Sequence, residues 1–390
     1  MLILKLALRN LLGAGLRTWL NVIALSFSFV AIIFMQGLYT GMNDQVEQAT
    51  IKALYGGGQI WQKAYDPYDP LTLPDAHDII PEYLKILIDK NQATPILIRQ
   101  ATIYPQGRFR SILLKGIDPQ QNILSIPSPM LKGDQEIIPA LVGSRMAKSI
   151  GVQPGDQITV QWRDTHGTFD ARDVTIVEVM KTTVQEIDND QIWIPLDRLQ
   201  TLLAMPGQAT LIVLKDNVQA PQHLAGWEFK SLEYLFEDIH AVVRSKRIGG
   251  STLYIVLLSL ALLAIFDTQV LSIFRRRKEM GTLMALGMTR TAIIKLFTTE
   301  GALHGILAAL IASIYGIPLL TYIARIGWKL PEATDTIGYA LGEKLFPVYS
   351  TGLVVGTTLL VLLATTIVSF LPTRKIARLK PTDALRGKMS

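Results

Sequence analysis

The sequence predicts a membrane α-helical protein with four transmembrane helices and a large mixed α/β extracytoplasmic domain inserted between helices 1 and 2. Three observations carry that expectation. The 390 residues are 49% hydrophobic and only 18% charged, greasier than a soluble domain. Four apolar stretches each reach the roughly 20 residues that a helix needs to cross a hydrocarbon core, where a backbone must satisfy its own polar groups. Lys and Arg crowd the ends of those stretches on one side, while the long segment between the first two has ordinary mixed polarity.

In chain order, residues 1–17 (MLILKLALRNLLGAGLR) set Leu2, Leu6, Leu8, Leu12 and Leu16 among Lys5, Arg9 and Arg17, the pattern of a cytoplasmic amphipathic helix lying on the membrane surface. This start is too basic and interrupted to be the core of a cleavable signal peptide, so the first span, residues 18–39, reads as a retained anchor. Residues 40–250 form the extracytoplasmic domain. Its strand-like runs are GQIWQKAY from Gly58, RSILLKGI ending at Ile117, QITVQW from Gln157, DVTIVEVM from Asp173 and TLIVLK from Thr210, all rich in β-branched residues. AHDIIPEYLKILIDK from Ala76 and VGSRMAKSIG from Val142 read as helices. NDQVEQATIKAL and YLFEDIHAVVRSKR, at the two ends of the domain, have helical character and continue the membrane helices as stalks.

The remaining spans are residues 251–274, 293–324 and 351–371. A cytoplasmic segment of residues 275–292 and an extracytoplasmic loop of residues 325–350 separate them, and a basic cytoplasmic tail, residues 372–390, follows. The proposed inner side holds fifteen basic residues against two acidic ones, Glu279 and Asp383, so the remainder of a chain of net charge +6 is acidic. Lys and Arg near span ends mark the cytoplasm. Both termini are therefore expected inside a bacterial inner membrane and the large domain outside. The same confinement explains the pI of about 9.3 without nucleic acid as a partner.

Little in the sequence supports catalysis. The histidines His77, His166, His223, His240 and His304 are scattered without metal-site spacing, and Asp188 and Asp190 lie in a polar stretch, EIDNDQ, that reads as a solvated turn. No G-x-S-x-G occurs, and no phosphate-binding G-x-x-x-x-G-K-[ST] either. Any ATP-driven work needs an ATPase on another chain. Charges within spans are functional candidates because hydrocarbon makes them expensive, which nominates Asp267, Glu300 and His304. A substrate or proton path is one reading, and a hydrogen bond between helices or at a dimer interface is the plainer one. Asn21 and Gln36 are weaker cases.

The strongest local signal is FRRRKEMGTLMALGMTRTAIIKLFTTEGALHG, from Phe274 to Gly305. Met280, Met284 and Met288 fall at spacing four beside Leu283 and Leu286, so a short helix would present a soft apolar stripe that either meets a partner or packs on the lipid surface or the protein itself. The segment resembles the signature of the FtsX-like ABC transporter permeases, the superfamily of the lipoprotein-releasing Lol permeases and the macrolide-exporter permease. Arg275, Arg276, Arg277 and Lys278 match its basic cluster, Glu279-Met280-Gly281 its Glu-hydrophobic-Gly, Leu283 to Gly287 its Leu-x-Ala-Leu-Gly core, and Glu300-Gly301 its Glu-Gly. The tail matches through Pro372, Arg374, Ala377, Pro381 and Ala384-Leu385-Arg386, and LVGSRMAKSIGVQPGDQITV resembles a further family stretch. Asp267 departs from the family, whose members often carry Asn there.

The resemblance covers the whole layout and implies a machine. Glu279, Met280, Gly281, Thr282, Leu283, Ala285, Leu286, Gly287 and Met288 would form a coupling helix seated in separate cytoplasmic ABC ATPase subunits, which bind the ATP and Mg; this chain would hold no cofactor or metal. A second permease chain, identical or related, membrane lipid, and a periplasmic acceptor or accessory protein complete the implied partners. The implied activity is extraction or export of a lipoprotein or other lipophilic substrate from the outer leaflet. The alternatives are export of peptide, drug or lipid, mechanical regulation of an extracytoplasmic hydrolase, and a receptor or scaffold with no ATPase.

Overall fold

The computed structural model describes residues 7, 9, 15–133, 137–182, 184–221, 224–329 and 344–376. The family-like positions Ala377, Pro381 and Ala384 to Arg386, most of the segment 1–17, residues 330–343 of the expected outer loop and His223 lie outside the described residues. The chain divides into two units, an α/β unit over residues 44–242 and a helical unit made of the other described residues.

The long helix α1 (Leu16–Thr50) widens into a π-helical turn (Ile51–Tyr55) and leads to β1 (Gln59–Gln62). Then come β2 (Asp78–Ile79), α2 (Glu82–Asp89), β3 (Ala93–Ile103), β4 (Arg110–Ile117), β5 (Ile138–Gly143), α3 (Ser144–Ile150), β6 (Gln157–Arg163) and β7 (Phe169–Met180). They are followed by α4 (Gln185–Asp188), β8 (Gln191–Pro195), α5 (Leu196–Leu202), β9 (Gln208–Ala209), β10 (Leu211–Leu214), β11 (Trp227–Lys230) and α6 (Leu232–Leu235). The chain continues through α7 (Glu237–Arg275), α8 (Arg277–Ala285), α9 (Arg290–Ile326), a short pair β12 (Trp328–Lys329) and β13 (Lys344–Leu345), and α10 (Thr351–Ile376).

Nine strands form one sheet in the order β11-β1-β10-β3-β4-β8-β5-β7-β6, and β3 also pairs with β6. The last six strands therefore close on one another, which leaves them no free edge. The length of β3 makes this closure compatible with the rest of the sheet: Ala101 and Ile103 pair with Trp162 and Val160, while Ile96 pairs with Leu211 of the open part. Successive strand residues face opposite sides, and both sides are buried. On β8, Ile192 and Ile194 join one apolar cluster, with Val142, Val160 and Leu199, and Trp193 joins the other, with Ile98 and Leu141.

The strand runs read from the sequence are all strands. The helix expected from Ala76 starts later, because Pro81 is its N-cap and Asp78–Ile79 pairs with β9. A proline drives the preceding residue out of helical geometry and is harmless at a helix start. The other expected helix begins at Ser144 and stops at Gly151, whose φ of 74° is the left-handed cap that glycine favours.

Among the described residues three helices are long and apolar enough to cross a membrane: Trp19–Tyr55, Arg290–Ile326 and Thr351–Arg374. The apolar part of α7 is Leu258–Ser272, shorter than a span by that measure. Within the helical unit, Leu25 and Phe29 of α1, Ala261 and Ile265 of α7, Ala308 of α9 and Val361 of α10 share one core. Leu260, Leu263, Leu310, Ile314, Leu359 and Leu363 point outward and are exposed, the inverse of a water-soluble bundle. α9 and α10 pack through glycine: a Cβ on Gly305 would stand 2.7 Å from Thr365 Oγ1, and one on Gly301 would overlap Ser369 Oγ. Small residues let membrane helices approach this closely.

Candidate functional site

Arg276 stands between α7 and α8 and joins three elements. Its Nε donates to Glu279 Oε2 at 2.8 Å, in the first turn of α8. Its Nη1 donates to both Glu300 oxygens, at 3.0 and 3.2 Å, on α9. The guanidinium also lies 5.0 Å from the centroid of the Phe297 ring. Glu300 is only 5% exposed, and a carboxylate buried in this way needs a cation and good geometry. The sequence marks Arg276 as one of a basic run; its spacing of three from Glu279 was the available signal for a pair.

α8 ends in a turn that redirects the nominated residues. Gly287 N donates to Met284 O at 3.1 Å and Met288 N to Leu283 O at 2.9 Å, with Gly287 at φ 95°, the paired bonds of a glycine C-cap. Thr289 then caps α9 by accepting from Ala292 N. Of the two readings of the stripe, packing on the protein itself is the one seen for Met284 and Met288. Met288 is past the end of α8, and Met284 and Met288 pack on Ile293 and Phe297 of the chain's own α9. What projects is the turn: Leu286 is 84% exposed, and Glu279, Thr282, Ala285 and Gly287 are exposed with it. Leu283 is half-buried and Gly281 buried; the Met280 side chain lies outside the described residues.

Glu300 and His304 share a face of α9, as expected, and both are buried. His304 Nδ1 lies 2.9 Å from Glu300 O. A carbonyl only accepts, so Nδ1 carries the hydrogen, and Nε2 is buried with no hydrogen-bond partner among the described residues. Gln269 on α7 is buried with an unpartnered Oε1. Asp267 is exposed on α7. Among the described residues no hydrogen bond links it to Glu300 or His304.

In the α/β unit, Asp188 is not a solvated turn residue. It is 2% exposed, accepts from Arg145 N at 3.1 Å and Ser144 Oγ at 3.2 Å, and so caps α3 from a different part of the chain. Asp190 pairs with Arg110 at 2.7 Å. No group of three His, Cys, Asp or Glu suited to a metal occurs among the described residues.

Two buried cations have no obvious signal in the sequence beyond their place in apolar strands. Arg99 on β3 donates to the backbone carbonyls of Arg163 and Pro74, at 3.1 and 3.0 Å, tying two loops to the sheet. Lys115 on β4 has its ammonium 5.0 Å from the centroid of the Trp193 ring. Burial pulls its pKa down to about 8, against the opposing charge of Glu186. The unfolded chain therefore holds one more proton between about 8 and 10.5, and this residue's contribution to stability rises with pH across that window. Below it, burying the ammonium costs about 3 kcal/mol. Lys115→Met is expected to raise the melting temperature of the detergent-solubilised chain near neutral pH, with a gain that shrinks as the buffer is taken up through the window. A gain independent of pH would show that the ammonium carries no such penalty.

The chain matches the family model for the FtsX-like permease C-terminal domain over residues 251–381 and that for the MacB-like periplasmic core domain over residues 18–225. It is 23% identical over 331 residues to the lipoprotein-releasing system transmembrane protein LolC of Xylella fastidiosa, covering 75% of this chain and 77% of the other. LolC of Neisseria meningitidis is 23% identical over 336 residues, with the same coverage. An uncharacterised ABC transporter permease of Methanocaldococcus jannaschii is 31% identical over 124 residues, 32% of this chain and 29% of that one.

Proposed function

Because the chain belongs to the FtsX-like ABC transporter permease family with a MacB-like periplasmic core domain, we propose that it couples ATP hydrolysis in a separate cytoplasmic ATPase to movement of its outer domain. In this reading it extracts a lipoprotein or similar lipophilic substrate from the outer leaflet of the inner membrane, in complex with a second permease chain. α7 supplies the second of four spans, through residues 251–274, and the turn after α8 lies in the cytoplasm, where the basic residues gather.

The observation that carries the proposal is the exposed turn at Leu286 and Gly287, tied by Arg276 through Glu279 and Glu300 to the third span. A large apolar side chain held out on a short, capped helix suits a groove on another protein. The ion pairs give a push on that helix a path into α9. Lipoprotein is the favoured substrate because the LolC relatives, named for lipoprotein release, align over three quarters of the chain.

Leu286→Glu places a charge where an apolar contact is expected. In proteoliposomes with the ATPase, release of radiolabelled lipoprotein should fall about 100-fold, the loss of roughly 2 to 3 kcal/mol at an interface anchor. The chain should remain in the membrane. Unchanged release would remove Leu286 from the interface, and failure to recover any ATPase in mild detergent would leave the proposal without its motor.

A further inference from the structure

The α/β unit contains a cavity of about 470 Å³, within the size range of small-molecule sites. Leu54, Trp61, Tyr65, Leu113 and Tyr234 give it largely apolar and aromatic walls, and Lys115 and Gln191 line it as well. Both polar residues are buried, at 6% and 7% exposure. Among the described residues no carboxylate is in ion-pair range of Lys115, whose contact is the Trp193 face. Gln191 Oε1 is buried without a hydrogen-bond partner. The neighbouring amide Gln59 is fully engaged: it donates to Leu54 O at 2.9 Å and accepts from Trp61 Nε1 at 2.7 Å. Glu186 and Glu237 also line the cavity but are exposed, so Lys115 is the buried charged group among its described lining residues.

We propose that this cavity binds a small amphipathic carboxylate, its aromatic or aliphatic body against Trp61, Tyr65 and Tyr234 and its anionic head on the Lys115 ammonium. The charge argument selects the sign of the ligand. A buried ammonium with no carboxylate in ion-pair range is stabilised by an anionic guest and repels a cationic one. Glu186 lines the same space and acts on Lys115 through its charge, but it is exposed, so water screens it more than the buried ammonium. The aromatic walls suit a planar or flexible apolar body.

The position gives such a ligand a mechanical consequence. Leu54 lies on the π-helical turn that ends the first long helix, and Tyr234 lies on α6, just before α7 begins. Tyr55 and Phe236, one from each segment, are already in edge contact at 5.2 Å between centroids. An occupant would touch both segments through which the chain passes between this unit and the long helices. The inference does not depend on the transport reading, since it concerns binding alone.

The test uses the full chain in nanodiscs of zwitterionic lipid, with empty nanodiscs subtracted, and two probes of equal shape: 2-naphthylacetate and its neutral amide, 2-naphthylacetamide. Ligand-observed saturation-transfer titration should give saturable binding of the anion, about ten-fold tighter than the amide near neutral pH, the scale of one charged hydrogen bond. The preference should vanish in Lys115→Met. It should also fade as the ammonium deprotonates in the unaltered chain, which keeps the test decisive if the variant does not fold. The other titratable groups on the walls are Glu186, Glu237, Tyr55, Tyr65, Tyr68 and Tyr234, so the pH effect assigned to Lys115 is the part that Lys115→Met removes. Absence of saturable anion binding, equal affinity for the two probes, or a preference insensitive to both Lys115→Met and pH would overturn the proposal.

Discussion

Arg276→Met should destabilise the helical unit by about 3 kcal/mol, well beyond the effect of Glu300→Gln, because removing one partner of a buried pair leaves the other charge in a low-dielectric site. The two changes are not equivalent. Glu300 is almost wholly buried and loses the guanidinium that neutralises it, whereas Arg276 is more exposed and keeps Glu279 when Glu300 becomes neutral. Glu300→Gln should therefore cost about 1 kcal/mol, the value of a hydrogen bond exchanged for a weaker one. The double variant should resemble Glu300→Gln, since the carboxylate that then lacks Arg276, Glu279, is 64% exposed and hydrated. Melting temperatures of the three variants in one detergent provide the cycle. Additive losses would mean that the pair does not couple α8 to α9. If it does couple them, the proposed transport role predicts that Arg276→Met also keeps ATP turnover while losing release, since a push on α8 would no longer reach α9.

The same pair illustrates what a sequence can and cannot disclose. Apolar length and the placement of Lys and Arg are local properties, so the first, third and fourth long helices and the outer position of the α/β segment could be read from composition. Of the two readings of the methionine stripe, a partner's surface or the protein's own packing, the second holds for Met284 and Met288, for an equally local reason. Spacing four implies a shared face only while the helix continues, and Gly287 ends it at positive φ, sending Met288 back toward Ile293 and Phe297. A glycine after Leu286 is a recognisable stop signal. Other features depend on register between distant segments. Asp188 caps α3 from 44 residues away, and β3 is held by β4, β6 and β10 at once; neither is written in any local window. β3 was also hidden by its own burial, because a strand covered on both faces lacks the alternation that identifies one.

Glycine packing between α9 and α10 yields the second large effect. Gly301→Ala is a one-carbon change that should disrupt the helical unit, since the new methyl group would overlap Ser369 Oγ and lie close to Gln269 Nε2, 3.2 Å away. Neither neighbour yields easily: Ser369 is buried and its hydroxyl is bonded to Thr365 O at 2.8 Å, and Gln269 is buried on α7. Overpacking of this kind costs about 1 to 3 kcal/mol and displaces backbone, which here means pushing α10 off α9. The diagnosis can be separated from a general intolerance of change in a span. Ser369→Gly removes the obstructing atoms, at about 1 kcal/mol of helix propensity, and should restore most of the melting temperature lost in Gly301→Ala when the two are combined. A combined loss equal to or greater than the sum would place the strain elsewhere than at the Gly301–Ser369 approach. Because Gly301 follows Glu300 directly, a rescue in stability should bring recovery of release with it if the same helix face both packs on α10 and receives the push from α8.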